Sequence, residues 1–317
     1  MRSTMDGAHN PTDLKLGALF RPLKEDIESK YCKVALISFP YDDGAVRNKG
    51  SSGASEAPAA TIKTLLSTGT LYNPEFNIDI YKHIRVCNLG SIPRPISLEN
   101  AHELLSEQIY EVFEHGMTPI ILGGSRDQSY RNYLGFAKYF KRKTSVINVD
   151  GHLDSRNIIG ERFAHNGSPM YQILEDPDFN GDLCKFGSQS HQCPKANADY
   201  VQNKGVDIYW FWQIEDDPLM HFNKILEKYS ERPLFFSVCV DAVRASDVPG
   251  CESASPIGLS AEAMLKICRA AGACPRVKMM DVSEFNPTFE SFRTSKLISL
   301  MIYEFLLGRS LYLSNTV

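Results

Sequence analysis

The sequence predicts an α/β fold, a single-domain three-layer α-β-α sandwich around a mostly parallel sheet. Short apolar runs such as residues 34–39, 119–122 and 233–240 are continuous rather than alternating, as in strands buried on both faces. Stretches with apolar residues at helical spacing separate them, so strand and helix alternate along the chain. Two runs end in residues suited to a metal or a substrate, Asp150 after Val149 and Asp241 after Val240. In open α/β sheets, sites form beyond the carboxyl ends of strands.

Residues 34–39 give the first strand, a Gly-rich turn leads to a short helix over 55–67, and 78–89 return as strand. The helix over 97–115 starts at Ser97, carries Leu104, Leu105, Ile109, Val112 and Phe113 at helical spacing, and stops at Gly116. Strand 119–122 runs into Gly123-Gly124 and a helix over 128–141, after which strand 144–149 delivers Asp150. Strands at 207–212, 235–241 and 276–282 follow, with helices at 218–229, 260–271 and 294–307. Right-handed crossovers between such strands put helices on both faces. No linker rich in Gly, Pro or Ser divides the chain and no repeat is present, so residues 16–317 read as one domain behind a flexible tail, 1–15.

With 317 residues, 43% hydrophobic and 23% charged, and a formal net charge of −4, the composition is that of a soluble globular protein. That charge gives no reason to expect a nucleic-acid partner. No apolar stretch approaches the roughly 20 residues of a membrane span, and residues 1–10 lack the apolar core of a signal peptide. The expectation is a cytoplasmic protein with no membrane partner. Its eight cysteines form no C-x-x-C pair and are expected to be reduced. Trp210 and Trp212 are assigned to core packing.

In Asp150-Gly151-His152-Leu153-Asp154, alternation places Asp150, His152 and Asp154 on one side as the strand leaves the core. Hard oxygen ligands with one imidazole suit Mn²⁺ or Zn²⁺, the other reading being a solvated, helix-capping acidic loop. Alternation also puts Cys239 and Asp241 on one face at the end of a second buried strand. Two strand ends carrying ligand-type residues suggest one shared site.

Five segments carry a resemblance: Gly123-Gly124-Ser125-Arg126-Asp127, Asp150-Gly151-His152-Leu153-Asp154, Asn166-Gly167-Ser168-Pro169, Ser237-Val238-Cys239-Val240-Asp241 and Asp281-Val282-Ser283-Glu284-Phe285-Asn286-Pro287. In this order and spacing, covering residues 39–307, the chain resembles the ureohydrolases: arginases, agmatinases and formiminoglutamases. Asp43-Gly44-Ala45-Val46-Arg47-Asn48, Gly53-Ala54 and Asp154-Ser155-Arg156 make it most similar to the formiminoglutamase branch. The resemblance implies an arginase-like fold assembled as a homotrimer or homohexamer. It also implies two Mn²⁺ ions bridged by a hydroxide that attacks a guanidinium or formimino carbon.

Six metal ligands are implied, and Asp150, His152, Asp154 and Asp241 stand at four of the positions. The other two depart: Arg126 replaces a histidine and Cys239 replaces a bridging aspartate. Arginine has no lone pair to offer. Three carboxylates, −3, against Arg126, +1, leave −2, so at most one divalent ion per chain is expected, Mn or Zn, with none as the other outcome. Asp150, His152, Cys239 and Asp241 would hold it, and the Arg126 guanidinium would replace the second ion, paired with Asp150 or Asp154.

The resemblance further implies Glu284 and His165 as catalytic, and Arg156, Asn166, Asp217 and Glu284 as contacts for a small guanidino or amino-acid-like ligand. With two ligands replaced, the family's hydrolysis of guanidino or formimino C–N bonds is expected to be lost or very weak. The alternative is an active single-metal C–N hydrolase of formiminoglutamase or agmatinase type acting on linear amidines.

Overall fold

Along strand β2 (Cys32–Phe39), Val34 and Leu36 point into one apolar layer while Ala35, Ile37 and Phe39 point into another, and all five are buried. The computed structural model describes residues 14–22, 32–94, 96–141, 143–158 and 163–316. In chain order its other strands are β1 (Phe20–Pro22), β3 (Tyr72–Asn73), β4 (Ile78–Asp79), β5 (Arg85–Ser91), β6 (Thr118–Gly123), β7 (Ser145–Val149), β8 (Asp182–Ser188), β9 (Asp207–Trp210), β10 (Leu234–Cys239) and β11 (Val277–Ser283). With β2, eight of them form one all-parallel sheet in the order β1-β5-β2-β6-β11-β10-β7-β8-β9, and β3 and β4 pair as a separate hairpin.

Helices cover both faces, as the alternating pattern requires. Leu65, Phe222, Ile267 and Ile302 come from the helices Ala57–Leu65, Pro218–Lys228, Ala261–Ala273 and Phe292–Ser314 to fill one layer. Leu105, Phe136 and Ile173 come from Leu98–Glu114, Ser129–Phe140 and Pro169–Glu175 to fill the other. Each such buried side chain contributes on the order of 1.5–3 kcal/mol.

Local signals account for the expected helices. Ser97 caps Leu98–Glu114 by accepting from the Asn100 N–H at 3.2 Å, and Ser260 caps Ala261–Ala273 by accepting from Ala263 N–H at 3.1 Å. Leu104, counted on the buried face, is 41% exposed. Residues 78–89 are not one strand: Asp79 accepts from Tyr81 N–H at 3.1 Å, starting the helical turn Ile80–His83 before β5. Neither β8 nor the helices Pro169–Glu175 and Lys195–Asn203 were expected. Trp212, assigned to the core, is 55% exposed.

Helix Phe292–Ser314 outruns its expected span and, with mean hydropathy 1.3, is long and apolar enough to cross a membrane, contrary to the sequence reading. Here it is a core helix, with 67% of its apolar window buried. It approaches Ala261–Ala273 backbone to backbone: a Cβ on Gly272 would lie 2.0 Å from Phe305 O, and one on Gly308 2.1 Å from Arg269 O. At the other end of the chain, Leu14 was placed in the tail. Its carbonyl accepts from Leu71 N–H at 2.9 Å, while residues 1–13 of that tail lie outside the described residues.

Strand order places the site. The chain runs outward through β7, β8 and β9, then returns through β10 and β11 to fill the space between β7 and β6. The carboxyl ends of β6, β11, β10 and β7 therefore stand side by side, where α/β sheets build their sites.

Candidate functional site

Each of those strand ends delivers a polar side chain. Arg126 opens a 3-10 turn after Gly123-Gly124, where a Cβ on Gly124 would lie 2.3 Å from Tyr41 O. Asp150 follows β7, Cys239 ends β10 with Asp241 in the next turn, and Glu284 follows β11. Alternation along a continuing strand does not unite Asp150, His152 and Asp154, because β7 stops at Val149. A hydrogen-bonded loop does so instead. Gly151 N–H donates to Asp241 Oδ1 at 3.0 Å and His152 N–H to Asp150 Oδ1 at 2.7 Å. Asp154 adopts φ +47°, and its carbonyl accepts from Met170 N–H at 3.0 Å.

Arg126 is 1% exposed, and each of its three guanidinium nitrogens has a partner. Nε lies 2.5 Å from Asp154 Oδ2 and 2.9 Å from Asp150 Oδ2, while the two terminal nitrogens donate to the hydroxyls of Ser283 and Ser237, each at 3.2 Å. A second cation was not foreseen. Lys185 in β8 is 0% exposed, donates to Asn148 Oδ1, and places Nζ 3.2 Å from the same Asp150 Oδ2. The sequence count of −2 becomes −1 once this ammonium is included.

These charges polarise the cluster. Burial works against ionised Asp150, yet Lys185 and then Arg126 hold its carboxyl well below the usual range. Burial and the neighbouring Asp150 charge push Asp154 up to about 8. Burial disfavours charged His152, but Asp241, 2.7 Å from its Nδ1, raises it to about 10. Burial drives the Cys239 thiol well above its ordinary value, and it pushes Glu284 up to about 7 although Arg126 N–H donates to that carboxylate at 2.7 Å.

Whether a metal fits can be read from the donors. Ligand atoms of Asp150, Cys239 and Asp241 lie within 4.8 Å of one another, all buried, and the His152 ring sits against Asp241. Asp150 Oδ2, although near two cations, receives no hydrogen bond of acceptable geometry, so a lone pair there is unspent. One divalent ion fits these donors. Beside it, the Arg126 Nε already faces both Asp150 and Asp154.

A cavity of about 210 Å³ opens above the cluster. Its wall includes Arg126, His152, Asp154, Cys239, Asp241 and Glu284, and Arg156 and Asn166 stand there too. A hydrogen-bonded row crosses it: Arg156 donates to Asn48 Oδ1 at 2.7 Å, Asn48 to Asn166 Oδ1 at 2.7 Å, and Asn166 to both Glu284 oxygens at 3.3 Å. Glu284 holds its place at φ +70°, a backbone region unusual for a side-chain-bearing residue.

Two expected site residues are elsewhere. Asp217 is exposed and caps the helix Pro218–Lys228, its Oδ1 accepting from Met220 N–H at 3.0 Å; Asp-Pro at a helix start is a capping signal, and that role engages one carboxylate oxygen. His165, expected as a proton-transfer group, is buried next to the cavity-lining Asn166 and Gly167, its Nδ1 accepting from Gly167 N–H at 3.1 Å. Lys185, Asn48 and Ser253, whose hydroxyl donates to Asp241 at 3.2 Å, were missed. Lys185 left a trace in the sequence, a charge inside the apolar Leu183–Phe186 run, and Asn48 ends the Asp43–Asn48 segment that carries the branch resemblance.

Comparison with known proteins agrees with this fold. Residues 32–308 match the sequence model described as "Arginase family". A formimidoylglutamase of Rhodococcus jostii is 27% identical over 301 residues, covering 91% of this chain and 89% of that protein. The solved formiminoglutamase of Trypanosoma cruzi with two Mn²⁺ ions is 33% identical with a TM-score of 0.87, covering 94% and 99% of the two chains. The formimidoylglutamase of Bacillus subtilis, at 24% identity, shares the fold with a TM-score of 0.86 over 98% and 96%.

Proposed function

Because the chain belongs to the arginase family, we propose that it is a formiminoglutamase-type hydrolase of a carboxylate-bearing linear amidine, working with one divalent ion rather than two. One observation carries the reading. The cavity joins an acidic floor, Glu284 and Asp241, to an exposed cation at its wall, Arg156, so a molecule with an amidinium at one end and a carboxylate at the other is complementary to it.

Asp150, His152, Cys239 and Asp241 would hold the ion. Bound there, such an ion would supply a water of lowered pKa as the nucleophile for C–N hydrolysis. The side chains do the rest. Glu284, oriented by Asn166 and the Arg126 N–H, accepts from the amidinium and, at about 7, can hold a proton near neutrality. Arg156 pairs with the distal carboxylate.

A second reading, ligand binding without turnover, is favoured by the two cations already bearing on Asp150. Assays of formiminoglutamate, arginine and agmatine with Mn²⁺ or Zn²⁺, beside calorimetric binding of the same compounds, separate the two. Turnover greatest for formiminoglutamate supports the hydrolase. Saturable binding with no product under any metal supports the second reading, and robust urea release from arginine would overturn both.

A further inference from the structure

A lysine with 0% exposure survives in a β-sheet only beside partners that replace its lost hydration. Lys185 has two: Asn148, which accepts from it, and Asp150, whose Oδ2 lies 3.2 Å away. Asn148 is itself fixed, its Nδ2 donating to Ser237 O at 3.3 Å, and Ser237 also accepts from Arg126. Lysine and arginine thus meet one carboxylate oxygen in a framework that leaves neither free to leave.

Resting on the single-ion reading above, we propose that Lys185 is the second built-in cation of this cluster and, with Arg126, limits it to one divalent ion. In the deprotonated state that an ion requires of its ligands, three carboxylates, −3, and two cations, +2, leave −1; one divalent ion brings the total to +1, and a second would bring it to +3 at a buried site. Replacing only the two departures from the family pattern removes the guanidinium but leaves Lys185 Nζ 3.2 Å from Asp150 Oδ2, so that oxygen still faces an ammonium where a second ion would need it. Arg126→His with Cys239→Asp reaches −3, and adding Lys185→Met reaches −4, frees that oxygen and lets two divalent ions neutralise the site.

The test is Mn²⁺ stoichiometry of the full chain by equilibrium dialysis with elemental analysis. Parent and R126H/C239D proteins should bind at most about one ion, and the triple variant about two. K185M alone should bind its single ion at least about tenfold more tightly. A double variant that takes up two ions as tightly as the triple one overturns the proposal, as does a folded triple variant that stays at one.

Should the triple variant need Mn²⁺ to fold, refolding in Mn²⁺ followed by dialysis gives the same reading. Lys185→Arg in the double background keeps the charge and should remain at one; two ions there would also overturn the proposal. These readouts are occupancy, not activity. Absence of turnover throughout would sink the hydrolase reading and leave the stoichiometries to be judged separately.

Discussion

Arg126 Nε lies 2.5 Å from Asp154 Oδ2, and Asp154 reaches that position through a left-handed backbone, φ +47°. Such a conformation costs of order 1–3 kcal/mol in a non-glycine residue and persists only where its surroundings enforce it. Here the enforcement is the buried pairing itself, together with the Met170 N–H that binds the Asp154 carbonyl.

Arg126→Ala is therefore expected to destabilise the metal-free protein, by up to about 3–5 kcal/mol, since it removes the guanidinium facing buried Asp154 and leaves Asp150 with Lys185 alone. Added Mn²⁺ should recover part of that loss, because ion binding favours the folded state by mass action. Melting curves with and without Mn²⁺ decide it. An unchanged melting temperature in the variant would mean that Arg126 does not neutralise these carboxylates.

Stability should also fall as pH rises. Asp154 moves from 3.8 to about 8 and His152 from 6.5 to about 10 on folding. A raised folded-state pKa means that the folded chain binds more protons than the unfolded one between the two values. Stability from Asp154 is thus lost over about pH 4–8, and that from His152 over about 6.5–10. The metal-free melting temperature should be lower at pH 9 than at pH 6. Metal competes with those protons, so stabilisation by Mn²⁺ should grow with pH. Metal-free protein more stable at pH 9 would contradict this assignment.

The sheet, its parallel sense and the grouping of Asp150 with Asp241 were legible because continuous apolar runs and the residues at their ends are local features, whereas Glu284 came only through the resemblance. Lys185 was not. Its strand, Asp182–Ser188, is broken by the lysine itself, and only the facing Asp150 and Asn148, 35 and 37 positions earlier, make that burial tolerable. Helix Lys195–Asn203 buries only Val201, too little apolar periodicity to reveal it. Asp217 misled for the opposite reason: a carboxylate before proline reads equally as a ligand or a cap until the Met220 N–H is located.

That cap gives a control. Asp217→Ala should lower stability by about 0.5–2 kcal/mol through the unpaired first turn of Pro218–Lys228 and leave ligand affinity unchanged. Urea titration and calorimetry on the same preparation separate the two quantities. A selective loss of ligand affinity would return Asp217 to the site.

Arg156 should show the reverse pattern. Its side chain is exposed and donates to Asn48, so Arg156→Ala should change stability by no more than about 0.5 kcal/mol. What it would lose is a charge-assisted hydrogen bond to a ligand carboxylate, worth about 1.5–3 kcal/mol. At about 1.4 kcal/mol per tenfold, that is a weakening of roughly 10–100-fold. The loss should be confined to ligands that carry a carboxylate: formiminoglutamate should weaken, while agmatine, which has none, should bind the parent and the variant alike. Equal loss for both would show that Arg156 acts by orienting Asn48 and, through Asn166, Glu284, because that row serves the amidinium end common to the two molecules.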